Sequence, residues 1–207
     1  MHVPKAETTT LAVTPFADAL QQEADGSLAY DRARWLYVPN DYTEYRYLLG
    51  TRGENPLICI GVNPSTARPD ALDPTLQSVE RIAKANGYDS FVMVNVYAQR
   101  ATDPKTMDVD FNEFLHQQNL AGFRWLLDRS QGRPAVWAAW GAVVEKRPYL
   151  KRCAADLIAA GRERGAAWLH AGALSKAGHP HHPLYLRADA ALEPFDAEGY
   201  LAVLKNL

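Results

Sequence analysis

Four short apolar runs constrain this chain more than anything else in it: "LICIGV" at residues 57–62, "FVMV" at 91–94, "AVWAAW" at 135–140 and "AWLHA" at 167–171. They are short and rich in Ile, Val, Phe and Trp, as strands covered on both faces are. The segments between them carry the helical period instead. "DPTLQSVERIAKANG" has Asp73 to cap it, Pro74 for its first position and Gly87 past its end. "DFNEFLHQQNLAGFRWLLDRS" places Phe111, Phe114, Leu115, Phe123, Leu126 and Leu127 at helical spacing. "KRPYLKRCAADLIAAGRERG" reads as a third helix, and "DAEGYLAVLKNL" closes the chain as another. Strands alternating with helices predict an α/β domain around a mainly parallel sheet. Right-handed crossovers then place helices on both faces.

The region upstream is less regular. "YTEYRYLLG" alternates polar and apolar residues, as a half-exposed edge strand does, and the turn signal "RGENP" links it to "LICIGV". "TPFADALQQEADGS" predicts a short helix with Thr14 as N-cap and Pro15 at the first helical position. Residues 1–25 read as a peripheral segment and 26–207 as one α/β domain, since 207 residues fill one domain rather than two. Lysine and arginine number 22 against 24 acidic residues, a net charge of −2, so no global positive field steers a polyanion to the surface. A local basic patch stays open. Two cysteines, Cys59 and Cys153, make no disulfide framework and fit a reducing, cytoplasmic setting. The start "MHVPKAETTT" lacks a signal peptide's apolar segment, and no run reaches membrane-spanning length, so no membrane partner is expected.

In open parallel sheets, ligands bind beyond the carboxyl ends of the strands. The segments leaving the apolar runs are "NPSTARPDALDPT", "NVYAQRATDP", "GAVVEKR" and "ALSKAGHPHHPLYL". In the first, Gly61 permits close approach, while Asn63 and Ser65 suit either a turn or a ligand contact. Asp73 and Thr75 read as a helix start first and a polar contact second. Asn95 ends an otherwise apolar strand; a buried amide needs partners, and its donor and acceptor together match the edge of a planar ring. Arg100, Thr102 and Asp103 suit an anionic group or each other. Trp140 suits the core or a stacking face. His179, His181 and His182 would form one wall of the pocket.

Taken together, "NPSTA", "DPT", "VNVYAQRATDP", "AAWG" and "HPLYL" resemble the family called domain of unknown function 1643, over roughly Tyr45 to Leu186. More remotely, the same order is similar to the uracil-DNA glycosylase superfamily: "GVNPS" to its G-x-[DN]-P motif, "VMVN" to its base-reading strand end, "WG" to a strand end, and "HPHHPLYL" to its His-Pro loop. This second resemblance implies a three-layer α/β/α fold with a short, mostly parallel sheet and a pocket for a flipped-out base. It implies that His182 or His179 donates to the departing base, with His182 favoured by the "HPLYL" run. It also implies that Asn95 holds the base edge and that Asn63 positions water. An amide is no general base at neutral pH, so Asp73 is the nearest carboxylate to help.

Three functions follow as expectations. One is a nucleobase-processing, N-glycosidase-type hydrolase working on a nucleobase, nucleotide or nucleic acid through Asn63, His182 and Asp73, with Asn95, Ser65, Arg100, Trp140 and His179 binding the substrate. Another is a non-catalytic module for a nucleotide or modified base. The last is a metal-dependent hydrolase built on the histidines. Prolines on both sides keep that segment extended, so His179 and His181 would share a side and His182 would point away, too few ligands for a metal site. No metal and no cofactor is therefore expected, and the oligomeric state is left open.

Overall fold

The four apolar runs become the parallel centre of a sheet, β4-β3-β5-β6, in a computed structural model that describes residues 1–25 and 28–206. The strands are β1 (Trp35–Val38), β2 (Leu48–Thr51), β3 (Pro56–Gly61), β4 (Ser90–Asn95), β5 (Ala135–Ala138), β6 (Ala167–Ala171) and β7 (Leu192–Pro194). The helices are α1 (Phe16–Asp25), α2 (Pro74–Ala85), α3 (Glu113–Arg129), α4 (Pro148–Glu163) and α5 (Ala197–Asn206). The boundary expected after residue 25 falls against residues 26 and 27, which lie outside the described residues.

The protein is α/β, but the sheet is neither short nor mostly parallel. Seven strands run in the order β1-β2-β4-β3-β5-β6-β7, and β1, β2 and β7 join antiparallel. Helical crossovers force the central strands parallel, whereas the outer strands lack such crossovers to their neighbours. β7 spans three residues, too few to leave a periodic signal. β1, "WLYV", is an additional strand, an apolar run of four residues too short to carry a period of its own.

The segment "YTEYRYLLG" is not at an edge. β2 lies between β1 and β4, and Tyr45, Arg46 and Tyr47 are all buried. The alternation is real, but both faces are covered. Tyr45 and Tyr47 join the core under α1, where the Tyr45 hydroxyl accepts from the Thr14 N–H and the Tyr47 hydroxyl donates to the Thr14 carbonyl. Thr14 is thus held by tyrosines, and α1 starts at Phe16, with the Pro15 carbonyl accepting from Ala19.

Successive strand residues feed two cores. Ile58, Val92, Val136 and Ala138 face α3 and α4; Leu57, Phe91, Met93 and Trp137 face α2 with Val79 and Ile82. Gly50 pairs with Val92 across β2 and β4, and a Cβ there would sit 2.0 Å from the Phe91 carbonyl oxygen. The amino-terminal residues are tied to the body, since Thr8 donates twice to Asp108 and the His2 N–H donates to Thr102 Oγ1.

Candidate functional site

The carboxyl ends of β3, β4, β5 and β6 open onto a cavity of ≈ 640 Å³, the size of a small-molecule pocket. All four following segments line it: Asn63, Ser65 and Thr66; Thr102 and Pro104; Gly141 to Val143; and the histidine loop to Tyr185, with the first turn of α2 between them. Helical and strand geometry thus brings together Asn63, Ser65, Asp73, Asn95, His179 and His182, residues spread over more than a hundred positions.

Each is held differently. Asn63 Nδ2 donates to the carbonyls of Pro64 (3.0 Å) and Ala101 (2.7 Å), which leaves its Oδ1 as the free acceptor. Asn95 is buried at the end of β4. Its Oδ1 accepts from Arg46 at 3.4 Å, while its Nδ2 is buried without a hydrogen-bond partner. It therefore offers the cavity donors only, rather than a paired donor and acceptor. Asp73 is the N-cap of α2, as its position before Pro74 predicts: Oδ1 accepts from the Leu76 N–H at 3.0 Å. Asp73 is the only acidic residue on the cavity wall among the described residues, and its second oxygen is free of the cap. Ser65 Oγ pairs with Thr102 Oγ1 at 3.1 Å.

The two histidines separate cleanly. His179 is fully engaged. The Trp140 Nε1–H donates to the Tyr200 hydroxyl (3.0 Å); in the neutral His179 ring whose Nε2–H faces the Glu145 carboxylate, Nδ1 is an acceptor and takes the hydroxyl's proton in a 2.7 Å hydrogen bond. His179 Nε2 then donates to Glu145 Oε1 (2.5 Å). His182 caps the short turn Pro183–Tyr185, its Nδ1 accepting from the Leu184 N–H at 3.3 Å. The neutral ring must then carry its proton on Nε2, an uncommitted donor. Burial pushes the His182 pKa down and His181 adds to this, against an upward pull from Asp73. The expected alternation of the loop does not hold: His179 is buried between Tyr200 and Glu145, whereas His181 is exposed beside the Ala173 carbonyl. Among the described residues no three His, Cys, Asp or Glu side chains converge as metal ligands.

Two assigned residues do not reach the cavity. Trp140 lies in the core against Trp168, Phe195 and Tyr200, because the backbone turns into a short helix at Gly141 and sends the indole inward. Arg100 runs beneath the floor, bonded to the Ser65 and Ala67 carbonyls and to the Tyr37 hydroxyl (2.9 Å), with Tyr42 across its guanidinium. It forms no pair with Asp103, whose side chain accepts from the Lys105 N–H.

The depressed His182 pKa carries a pH prediction. The unfolded chain binds a proton at an ordinary imidazole pKa of about 6.5, the folded protein only at lower pH. Stability is therefore greatest above that value and falls as the pH drops through the interval, levelling once the folded ring protonates. His182→Asn should flatten this part of the melting-temperature profile; an unchanged slope would show that His182 does not titrate this way.

Family models give one match, the family described as Protein of unknown function (DUF1643), over residues 46–184. The chain belongs to the DUF1643 family. The comparisons with curated proteins and with solved structures give no match. The DUF1643 match holds every residue that lines the cavity except Tyr185. Three residues that shape the site, Arg46, Glu145 and Tyr200, are not among the expected site residues, and Tyr200 lies beyond the matched segment. Arg46 is hidden in an apparently half-exposed strand, Glu145 stands in "GAVVEKR", a segment leaving a strand that gives no cue to its histidine partner, and Tyr200 lies on the closing helix. An arginine between two tyrosines, "YRY", was the available signal for Arg46.

Proposed function

We propose that the cavity holds a nucleobase-like ring and that the protein is an N-glycosidase-type hydrolase of a nucleobase-bearing substrate, with a three-layer arrangement like that of uracil-DNA glycosylase and a cytoplasmic location. The observation that carries this reading is the fixed tautomer of His182, a neutral N–H donor in the same cavity as Asn95 Nδ2, Asn63 Oδ1 and the Asp73 carboxylate. As the bond from ring nitrogen to sugar stretches, its electron pair moves into the base. Donors that become stronger partners as that charge develops lower the barrier. His182 Nε2–H and Asn95 Nδ2 are such donors. Water held by Asn63 Oδ1 attacks the sugar carbon, and its proton passes to the free oxygen of Asp73. Tyr185, 77% exposed at the rim, offers a stacking face for the ring.

The test is product release from oligonucleotides and nucleosides bearing normal and deaminated bases, with alkali revealing abasic sites. Hydrolysis of at least one substrate is expected, and His182→Ala should slow it about 10²- to 10³-fold. No released base from any substrate would overturn catalysis. A second reading, a non-catalytic binding module, is favoured by Asp73, whose one oxygen already caps α2. A rise in melting temperature with free bases, without hydrolysis, would select it.

A further inference from the structure

Arg46 and Asn95 bring buried, unpaired donors to the cavity lining. Arg46 lines the cavity with 1% of its surface exposed, and Arg100 lies directly behind, wholly buried. The two guanidinium groups converge on one atom: Arg46 at 3.2 Å and Arg100 at 3.3 Å both donate to the Ala67 carbonyl oxygen. Neither meets a carboxylate within salt-bridge distance among the described residues, although seven arginine–carboxylate pairs form elsewhere. The Nε atoms of both arginines and Asn95 Nδ2 are buried without partners, and all three are donors. Burial and the neighbouring Arg100 pull the Arg46 pKa down to about 9, which still leaves it charged at neutral pH. Buried cations are normally paired, because isolated charge in a low-dielectric interior is strongly unfavourable.

We propose that the ligand of this cavity is an anion, a small planar acid whose negatively charged oxygen lies on Arg46 and Asn95 Nδ2. The free donors at the floor suit the one or two oxygens of a carboxylate or ring oxyanion. They do not suit the three oxygens and double charge of a phosphate ester, which Asp73 on the adjoining wall would also repel. Asp73 instead fits a ring N–H on the far side of the same ligand. The inference rests on reading this cavity as the ligand site, and it narrows the proposed substrate from any nucleobase to an acidic one.

Uracil, 6-carboxyuracil, nitrate and inorganic phosphate serve as probes, by calorimetry and thermal shift at fixed ionic strength with chloride as the reference anion. Saturable binding of 6-carboxyuracil and nitrate is expected. Uracil and phosphate should bind at least about tenfold more weakly than 6-carboxyuracil. Asn95→Asp supplies the missing carboxylate from within. It should raise the melting temperature of the free protein by about 2–4 °C and abolish binding of both anions. Equal or tighter binding of uracil, tighter binding of phosphate, no saturable binding of either planar anion, or a lower melting temperature for Asn95→Asp would each overturn the proposal. Uracil binding without the acid would leave the nucleobase reading standing. Nitrate binding without either pyrimidine would leave the anion site standing and remove the nucleobase.

Discussion

Gly50→Ala is expected to destabilise the protein by about 3 kcal/mol or more, a fall in melting temperature of about 6–12 °C. The clash is with backbone: the added methyl would stand 2.0 Å from the Phe91 oxygen and 2.6 Å from the Val92 Cα, neither of which can rotate away. Relief requires β2 to leave β4, and the register Leu49↔Met93, Gly50↔Val92 is the pairing that carries Arg46 under the floor. A melting curve decides the matter. A variant as stable as the wild type would mean that the two strands do not pair as closely as described. Gly132 makes the contrast: its Cβ would meet nothing, and alanine there costs only what its φ of +79° imposes.

The second large effect is expected at Tyr200. Its hydroxyl accepts from Trp140 Nε1 and donates to His179 Nδ1, and both nitrogens belong to buried side chains. Tyr200→Phe removes one oxygen and orphans two polar atoms, each at about 1–3 kcal/mol, so a loss of about 2–6 kcal/mol is expected from denaturant midpoints at constant slope. Glu145 then holds the histidine alone, and the loop leading to His182 loses its anchor. Hydrogen exchange should rise at the amides of Gly178, His179, His181, His182 and Leu184. A change confined to global stability, with exchange there unaltered, would show that the network supports the core and not the loop.

The centre of the fold was legible because its rules are local. Asp73 before Pro74 gives an N-cap whatever surrounds it, and runs such as "LICIGV" are strands when helices cover both faces. The convergence of four loops on one cavity follows from the same topology. What escaped depends on packing between distant segments. Whether Arg46 faces solvent or a cavity floor is decided by β1, a neighbour contributed by residues ten positions away, and by the path of Arg100. Its place after a strand gives Trp140 two outcomes, core or stacking face; one turn of backbone at Gly141, with φ +62°, sends it to Tyr200 and the core. The histidine count suggested metal, yet hydrogen-bond partners, not spacing, distinguish His179 from His182.

The network from Trp140 through Tyr200 and His179 to Glu145 has a consequence for fragment design. The DUF1643 match ends at Leu184, so a piece cut to residues 46–184 would retain nearly all of the cavity lining. It would lack α5, and with it the hydroxyl that sets which way His179 faces. Conversely, grafting the histidine loop onto another scaffold would transplant the lining without its brace. The unit that can be moved intact is therefore larger than the unit that meets a ligand, and its outer limit is set by a tyrosine on the far side of the sheet's end.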